Sequence, residues 1–129
     1  MQVYYFTRTN RSKKIAETLA ARYGVTAQRI EDGKSWSGAV GFIKGGFMSV
    51  SKKSLPASYP QPVADGPIVL VFPVWADTFP PAVKTFVDVV GRARIIAIPT
   101  SQGSTIKDRA GFIRVVDLVG KDISAPEEL

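Results

Sequence analysis

The chain has 129 residues, 45% of them hydrophobic, with 17 Lys and Arg against 11 Asp and Glu, a net charge of +6, and neither cysteine nor histidine. This length suits one domain over residues 1–129 with one sizeable core, and the missing residue types exclude disulfides, thiolate nucleophiles, imidazole bases and the usual zinc sites. No apolar run approaches the roughly 18 residues of a membrane helix, so the expectation is a soluble, cytoplasmic protein without membrane insertion.

The opening run Val3-Tyr4-Tyr5-Phe6 places a short strand at Val3 to Thr7, apolar on both faces as in a sheet covered on both sides. Lys13 to Tyr23 reads as a helix that Ser12 can cap, with Ile15, Ala16, Leu19 and Ala20 at helical spacing and Gly24 as its stop. Thr26 to Ile30 fits a second strand. From Glu31 to Gly66 the pattern is weaker. A helix around Gly38 to Val50 is opposed by Gly38, Gly41, Gly45 and Gly46, at about 1 kcal/mol for each one inside it. Pro56, Pro60, Pro62 and Pro67 mark an extended connection, either a partial cover for a ligand site or a passive surface loop.

Ile68 to Phe72 is the strongest strand signal. Pro80-Pro81 opens a helix carrying Val83, Phe86 and Val90, and Gly91 ends it. Arg94 to Ile98 and Phe112 to Leu118 follow as strands, separated by a crossover too short for a full helix over Ser104 to Gly111. The alternation of strand and helix predicts a parallel α/β sheet. Ile123 to Leu129 leaves little room for a closing helix, and a sheet face left bare there suggests a homodimer.

Ligands of such sheets bind beyond the carboxyl ends of the strands. Three loops meet there. Thr7-Arg8-Thr9-Asn10-Arg11-Ser12 puts three hydroxyls and two guanidiniums at a strand-to-helix turn, where backbone N–H groups can hold a phosphate. Pro73-Val74-Trp75-Ala76-Asp77-Thr78-Phe79-Pro80 offers two aromatic surfaces, and Pro99-Thr100-Ser101-Gln102-Gly103-Ser104 offers small polar groups. Together they suit a ligand with a phosphate tail and a flat heteroaromatic ring, stacking on an aromatic side chain being worth about 0.5–1.5 kcal/mol beyond its buried area. Each residue also has a plainer reading. The hydroxyls serve equally as turn and cap residues, Arg8 and Arg11 as a solvated basic turn, Trp75 and Phe79 as packing, and Trp36 as surface cover. Neither Tyr4 nor Tyr5 is a convincing acid or base, and Asp77 has no visible partner to tune it.

At these residues the chain resembles the flavodoxin family. Phe6 to Glu17 is similar to that family's first strand, FMN phosphate loop and first helix. Val71 to Val83 is similar to its second flavin loop, and Thr100-Ser101-Gln102-Gly103 stands in the place of the third. The resemblance implies a flavodoxin-like three-layer sandwich with a five-stranded parallel sheet in the order 2-1-3-4-5, here shortened near the C-terminus. It implies FMN as cofactor. Thr7, Thr9 and Ser12, with backbone groups of Arg8, Asn10 and Arg11, would bind the phosphate. Pro73, Val74, Trp75, Ala76 and Asp77 would meet the isoalloxazine, and Thr100, Ser101, Gln102 and Gly103 its pyrimidine edge.

Three residues depart from the family pattern. Asn10 and Arg11 replace the usual glycine and asparagine of the phosphate loop, and Asp77 replaces a common glycine, which makes a peptide flip near the flavin N5 harder. The activity the resemblance implies is single-electron transfer between redox proteins. Its alternatives are a small FMN-dependent reductase of quinones or flavins that draws on NAD(P)H, and a flavodoxin-like interaction module without flavin. The positive charge favours an acidic redox partner. The basic residues, scattered from Arg8 to Lys121, form no tract or signature for specific nucleic-acid binding.

Overall fold

The computed structural model describes residues 1–32 and 57–129. The helix suggested around Gly38 to Val50, together with Trp36 and most of the connection that could cover a site, lies outside the described residues. The centre of the molecule is a parallel sheet built from β1 (Gln2–Tyr5), β2 (Ala27–Arg29), β5 (Ile68–Pro73) and β6 (Ile95–Ser101), with β7 (Arg114–Val115) and β8 (Leu118–Val119) along one edge. The spatial order is β2-β1-β5-β6-β7, and β8 also pairs with β6. This is the flavodoxin-like topology, with β7 and β8 together serving as the fifth strand. A separate antiparallel pair, β3 (Glu31–Asp32) with β4 (Ala57–Ser58), stands beside it.

The apolar strand runs follow from burial on both faces. Tyr4, Leu70, Phe72, Ile95 and Ala97 point to one side, while Val3, Val69, Val71, Ile96 and Ile98 point to the other. The first side packs against α2 (Pro81–Val90), whose Ala82, Val83, Phe86 and Val87 are buried, together with Tyr59, Phe79 and Ile106. The second packs against α1 (Arg11–Tyr23) through Ile15, Ala16, Leu19 and Ala20. Pro81 opens α2 at a position where a missing N–H costs nothing. Gly24, at φ 68°, closes α1 with its N–H turned back to Ala20 and Ala21.

The Tyr4 hydroxyl donates to Pro60 O at 2.6 Å, and burial, with Tyr59 beside it, pushes the phenol up to about 12. Both rings belong to the core, where Phe86 lies 4.9 Å from Tyr4 and 4.7 Å from Tyr59 between centroids.

Two elements differ from the sequence reading. The expected strand over Phe112 to Leu118 is interrupted, although β7 and β8 keep one register on β6, with Ala97 opposite Val115 and Thr100 opposite Leu118. The cause lies in β6. Its odd-numbered residues face the edge: Ile113, Val116 and Gly120 N–H donate to the carbonyls of Ile95, Ala97 and Ser101 at 2.8–2.9 Å. Pro99 falls in that series and has no N–H to return, so the ladder breaks beside Val116.

The second difference is in α1, which begins at Arg11 rather than Lys13. Asn10 is its N-cap residue, at φ 67° and without a side-chain cap bond, and Ser12 lies inside the helix.

The crossover from β6 to β7 contains no helix. Arg92 holds it instead, donating to both carboxylate oxygens of Asp108 at 2.7 and 2.6 Å and to Ala110 O at 2.8 Å, while its guanidinium lies over Phe112 and Phe79. Arg109 pairs in the same two-pronged way with Asp117. Residues 120–129 also form no helix. They run as a strap whose Ile123, Ala125 and Leu129 cover the α1 side of the sheet, tied by Arg22 to the carbonyls of Pro126 and Glu127 and by Arg114 to that of Leu129. The bare face that motivates a homodimer in the sequence is therefore clothed by the chain itself.

Candidate functional site

The three loops converge at the carboxyl ends of β1, β5 and β6. In the first, Phe6 keeps to the sheet by donating to Val71 O at 3.0 Å, and Thr7 is buried. Arg8, Thr9 and Asn10 then turn out to solvent. Asn10 takes the left-handed conformation its side chain tolerates. Lys14 N–H makes the first helical bond, to Asn10 O at 3.1 Å, so the N–H groups just before it have no acceptor within the helix. The positive end of α1 opens at this turn with no side-chain cap.

Thr100 joins all three loops. It is 2% exposed. Its Oγ1 lies 3.0 Å from Ser12 Oγ and donates to Phe72 O at 3.4 Å, while its carbonyl accepts from Val74 N–H at 3.0 Å. One buried side chain thus ties the first turn of α1 to β6, and its backbone ties β6 to the second loop. Beyond it, Ser101 Oγ bonds to both N–H and C=O of Ser104, bending the third loop back on itself.

The second loop is a tight two-residue turn. Trp75 and Thr78 exchange backbone bonds at 2.9 and 3.0 Å, and Ala76 and Asp77 between them have φ of 50° and 63°. Positive φ at both central positions is the pattern of a type I′ turn. Lys107 fixes it further, its N–H donating to Asp77 O at 3.1 Å and its Nζ lying 3.8 Å from the carboxylate. Phe79 turns inward, 5.4 Å from Phe72 and 6.0 Å from Phe112, so it supports the loop from behind.

A cavity of about 340 Å³ lies between the loops. Thr7, Arg8, Thr9, Arg11 and Ser12 line it from the first, Pro73, Val74 and Trp75 from the second, and Thr100, Ser101, Gln102 and Gly103 from the third. Asn10, Ala76 and Asp77, singled out in the sequence, do not line it; they shape the turns on either side. Ser104 lines it as well, and the polar run from Ser101 was its signal. Among the described residues the lining contains two guanidiniums and no carboxylate. Arg11 reaches across to Gly120 O at 2.5 Å, whereas the Arg8 guanidinium lies over Trp75, 4.7 Å from the ring centroid. Trp75 in turn stands edge-on to Phe6 at 5.7 Å. Among the described residues no cluster of side chains could hold a metal ion, and no helix is long and apolar enough to cross a membrane.

No protein-family model and no curated protein matches the chain. Solved structures do. A flavoprotein from Lactobacillus acidophilus, in complex with FMN, superposes with a TM-score of 0.66 at 16% identity, covering 90% of this chain and 91% of that one. A candidate flavoprotein from Bacteroides uniformis gives a TM-score of 0.66 at 21% identity over 94% and 90% of the two chains. One from Bacteroides eggerthii gives 0.64 at 17% identity over 95% and 89%. At these identities the likeness shows the fold.

Proposed function

We propose that this protein binds FMN at the junction of the three loops and carries single electrons between redox proteins. The observation that carries the reading is the cavity itself. It has the uncapped end of α1 and the Thr7 and Thr9 hydroxyls on one side, the Trp75 indole with the Arg8 guanidinium over it on the other, and no carboxylate among the described residues of its lining. A dianionic phosphate ester fits the first half and a planar ring the second.

Thr7, Thr9, Arg8 and the N–H groups opening α1 would hold the phosphate. The Ser12 hydroxyl and the Arg11 guanidinium already serve Thr100 and Gly120, so these two residues would contribute through their backbone. Trp75, Pro73 and Val74 would flank the ring, and the Gln102–Gly103 backbone would meet its polar edge. When bound, FMN supplies the one-electron chemistry. The chain supplies position, water exclusion and positive charge.

The chemistry of the described lining favours a carrier over a reductase: its side chains are hydroxyls, an amide, apolar groups and guanidiniums, none suited to trading a proton near neutral pH. A net charge of +6 suits an acidic partner, whose association should slow as salt is raised.

The test is the visible spectrum of the purified protein, followed by titration of the apoprotein with FMN. A yellow protein that binds FMN, and that oxidises NAD(P)H only when a redox partner is present, supports the proposal. A colourless protein without FMN affinity refutes it, and rapid NAD(P)H oxidation by the holoprotein alone transfers the site to a reductase.

A further inference from the structure

We infer that the edge where the strands begin, at the opposite end of the sheet from the three loops, docks a second copy of this chain about a twofold axis. The inference stands apart from the FMN reading, because neither copy's loops take part.

Among the described residues five large apolar side chains are exposed, and four of them stand at this end. Met1 precedes β1, Val25 precedes β2 and Ile113 precedes β7, while Val63 N–H donates to Gln2 Oε1 at 3.0 Å. Val63 and Ile113 are the most open, at 61% and 52%. Scattered singly such residues are ordinary; gathered on one edge they mark a contact surface. A cavity of about 490 Å³ lies here, with Pro67, Ile96 and Ile113 in its wall and Asp65 and Arg94 as its charged groups.

Those two charges name the occupant. Arg94 is held in place, its Nη2 donating to Val63 O at 2.8 Å and to Gly66 O at 3.1 Å, and its Nε to Gly66 O at 3.3 Å. Its Nη1 makes no bond among the described residues. Asp65, in the turn that Arg94 braces, takes part in no ion pair among them. One cavity thus presents a fixed cation and an unpaired anion. A surface carrying both signs is complementary to itself: a twofold axis sets Asp65 of one copy against Arg94 of the other, and the reverse, while Val63 and Ile113 pack across it. The rest of the edge adds little net charge, since Arg92 is paired with Asp108 and Arg22 reaches the strap at Glu127. The surplus of +6 is carried elsewhere on the chain and does not crowd the contact. The three-loop cavity of each copy stays at the far end, clear of the interface.

The experiment is sedimentation velocity of the purified protein from low micromolar to several hundred micromolar, with circular dichroism to check that each variant is folded. The wild type should pass from monomer to dimer across that range, with or without added FMN. Ile113→Asp places a charge in the apolar contact twice, once from each copy, and should weaken the dimer about tenfold or more. Asp65→Arg should do the same, because a guanidinium then faces a guanidinium at both pairings. Arg94→Glu should be monomeric alone, yet an equal mixture of Arg94→Glu and Asp65→Arg should form a dimer, since opposite charges meet again at both pairings. A wild type that is monomeric at every concentration overturns the inference and leaves the edge to a partner of another sequence. A dimer that survives both Ile113→Asp and Asp65→Arg is joined at another face and overturns it too. A folded mixture of the two charge variants that stays monomeric overturns the twofold pairing. Should Arg94→Glu lose its turn and fail to fold, Asp65→Arg and Ile113→Asp decide the matter without it.

Discussion

Thr100→Val, combined with Ser12→Ala in a double-mutant cycle, tests whether the first turn of α1 is held in place by β6. Valine keeps the shape of threonine and removes only the hydroxyl. The 3.0 Å contact between Ser12 Oγ and Thr100 Oγ1 is buried, with the two residues 1% and 2% exposed. Thr100→Val strands the Ser12 hydroxyl away from water, at a cost of about 1–3 kcal/mol, whereas in Ser12→Ala the Thr100 hydroxyl keeps its bond to Phe72 O. Thr100 also gives up its weaker bond to Phe72 O at 3.4 Å, so Thr100→Val should lie near the middle of that range, at about 2 kcal/mol. Ser12→Ala should cost about 1–1.5 kcal/mol. In the double variant neither hydroxyl remains to be stranded, so the total should be about 2 kcal/mol rather than the sum, a coupling of about 1 kcal/mol. The assay is urea unfolding followed by circular dichroism, with the midpoint shifting at constant m. Additivity within about 0.3–0.5 kcal/mol would show that the two hydroxyls do not depend on each other and would refute the reasoning.

The buried Tyr4 makes stability depend on alkaline pH. Its folded pKa of about 12 lies above the unfolded value of 10.0, so the stabilisation is complete below pH 10 and is lost as pH rises toward 12. The loss should amount to about 1–2 kcal/mol, less than a full two-unit shift because the hydrogen bond to Pro60 is only partly buried, and Tyr4→Phe should flatten this arm of the unfolding profile. Arg92→Ala should cost about 1–2 kcal/mol, since it removes the bonds to Asp108 and Ala110 and the contacts over two rings, and should speed amide exchange across residues 106–113; unchanged exchange counts against Arg92 as the crossover's clamp. Arg92 also holds the Asp108 carboxyl below the usual carboxylate range, so this contribution is present above that range and fades as pH falls through the lowered value, a fade that Arg92→Ala should abolish. Ala76 carries a Cβ at φ 50°, so Ala76→Gly should raise stability by about 0.5–1 kcal/mol in thermal unfolding; a loss would mean that the turn does not strain Ala76.

The sheet was legible because its signals are local. The runs at Val3, Ile68 and Ile95 are apolar at every position since both faces are covered, and Gly24 and Gly91 stop their helices for reasons of backbone conformation. The three loops could be picked out by composition, because hydroxyls and arginines gather at one strand-to-helix turn and an indole stands at a strand end, where ligands of such sheets bind.

What the sequence hid depends on partners far along the chain. Ser12 reads as a cap until Thr100, 88 residues away, is seen to take its hydroxyl. The Arg11 side chain reads evenly as a solvated basic turn or a direct phosphate contact, and Gly120, 109 residues away, is the partner that its guanidinium takes. Phe79 stood evenly between loop and core, and Phe72 and Phe112 decide the matter. The break in the edge strand was written in Pro99 and went unread, because its effect depends on which side of β6 that residue faces.

The most direct measurement of the central claim is a crystal structure of the protein grown with FMN. The expected density places the phosphate at the turn from Thr7 to Ser12, bonded to the N–H groups that open α1, with the ring beside Trp75 and the Gln102–Gly103 backbone. Phosphate density away from that turn, or a ring bound elsewhere than between the Trp75 and Gln102 loops, would contradict the account.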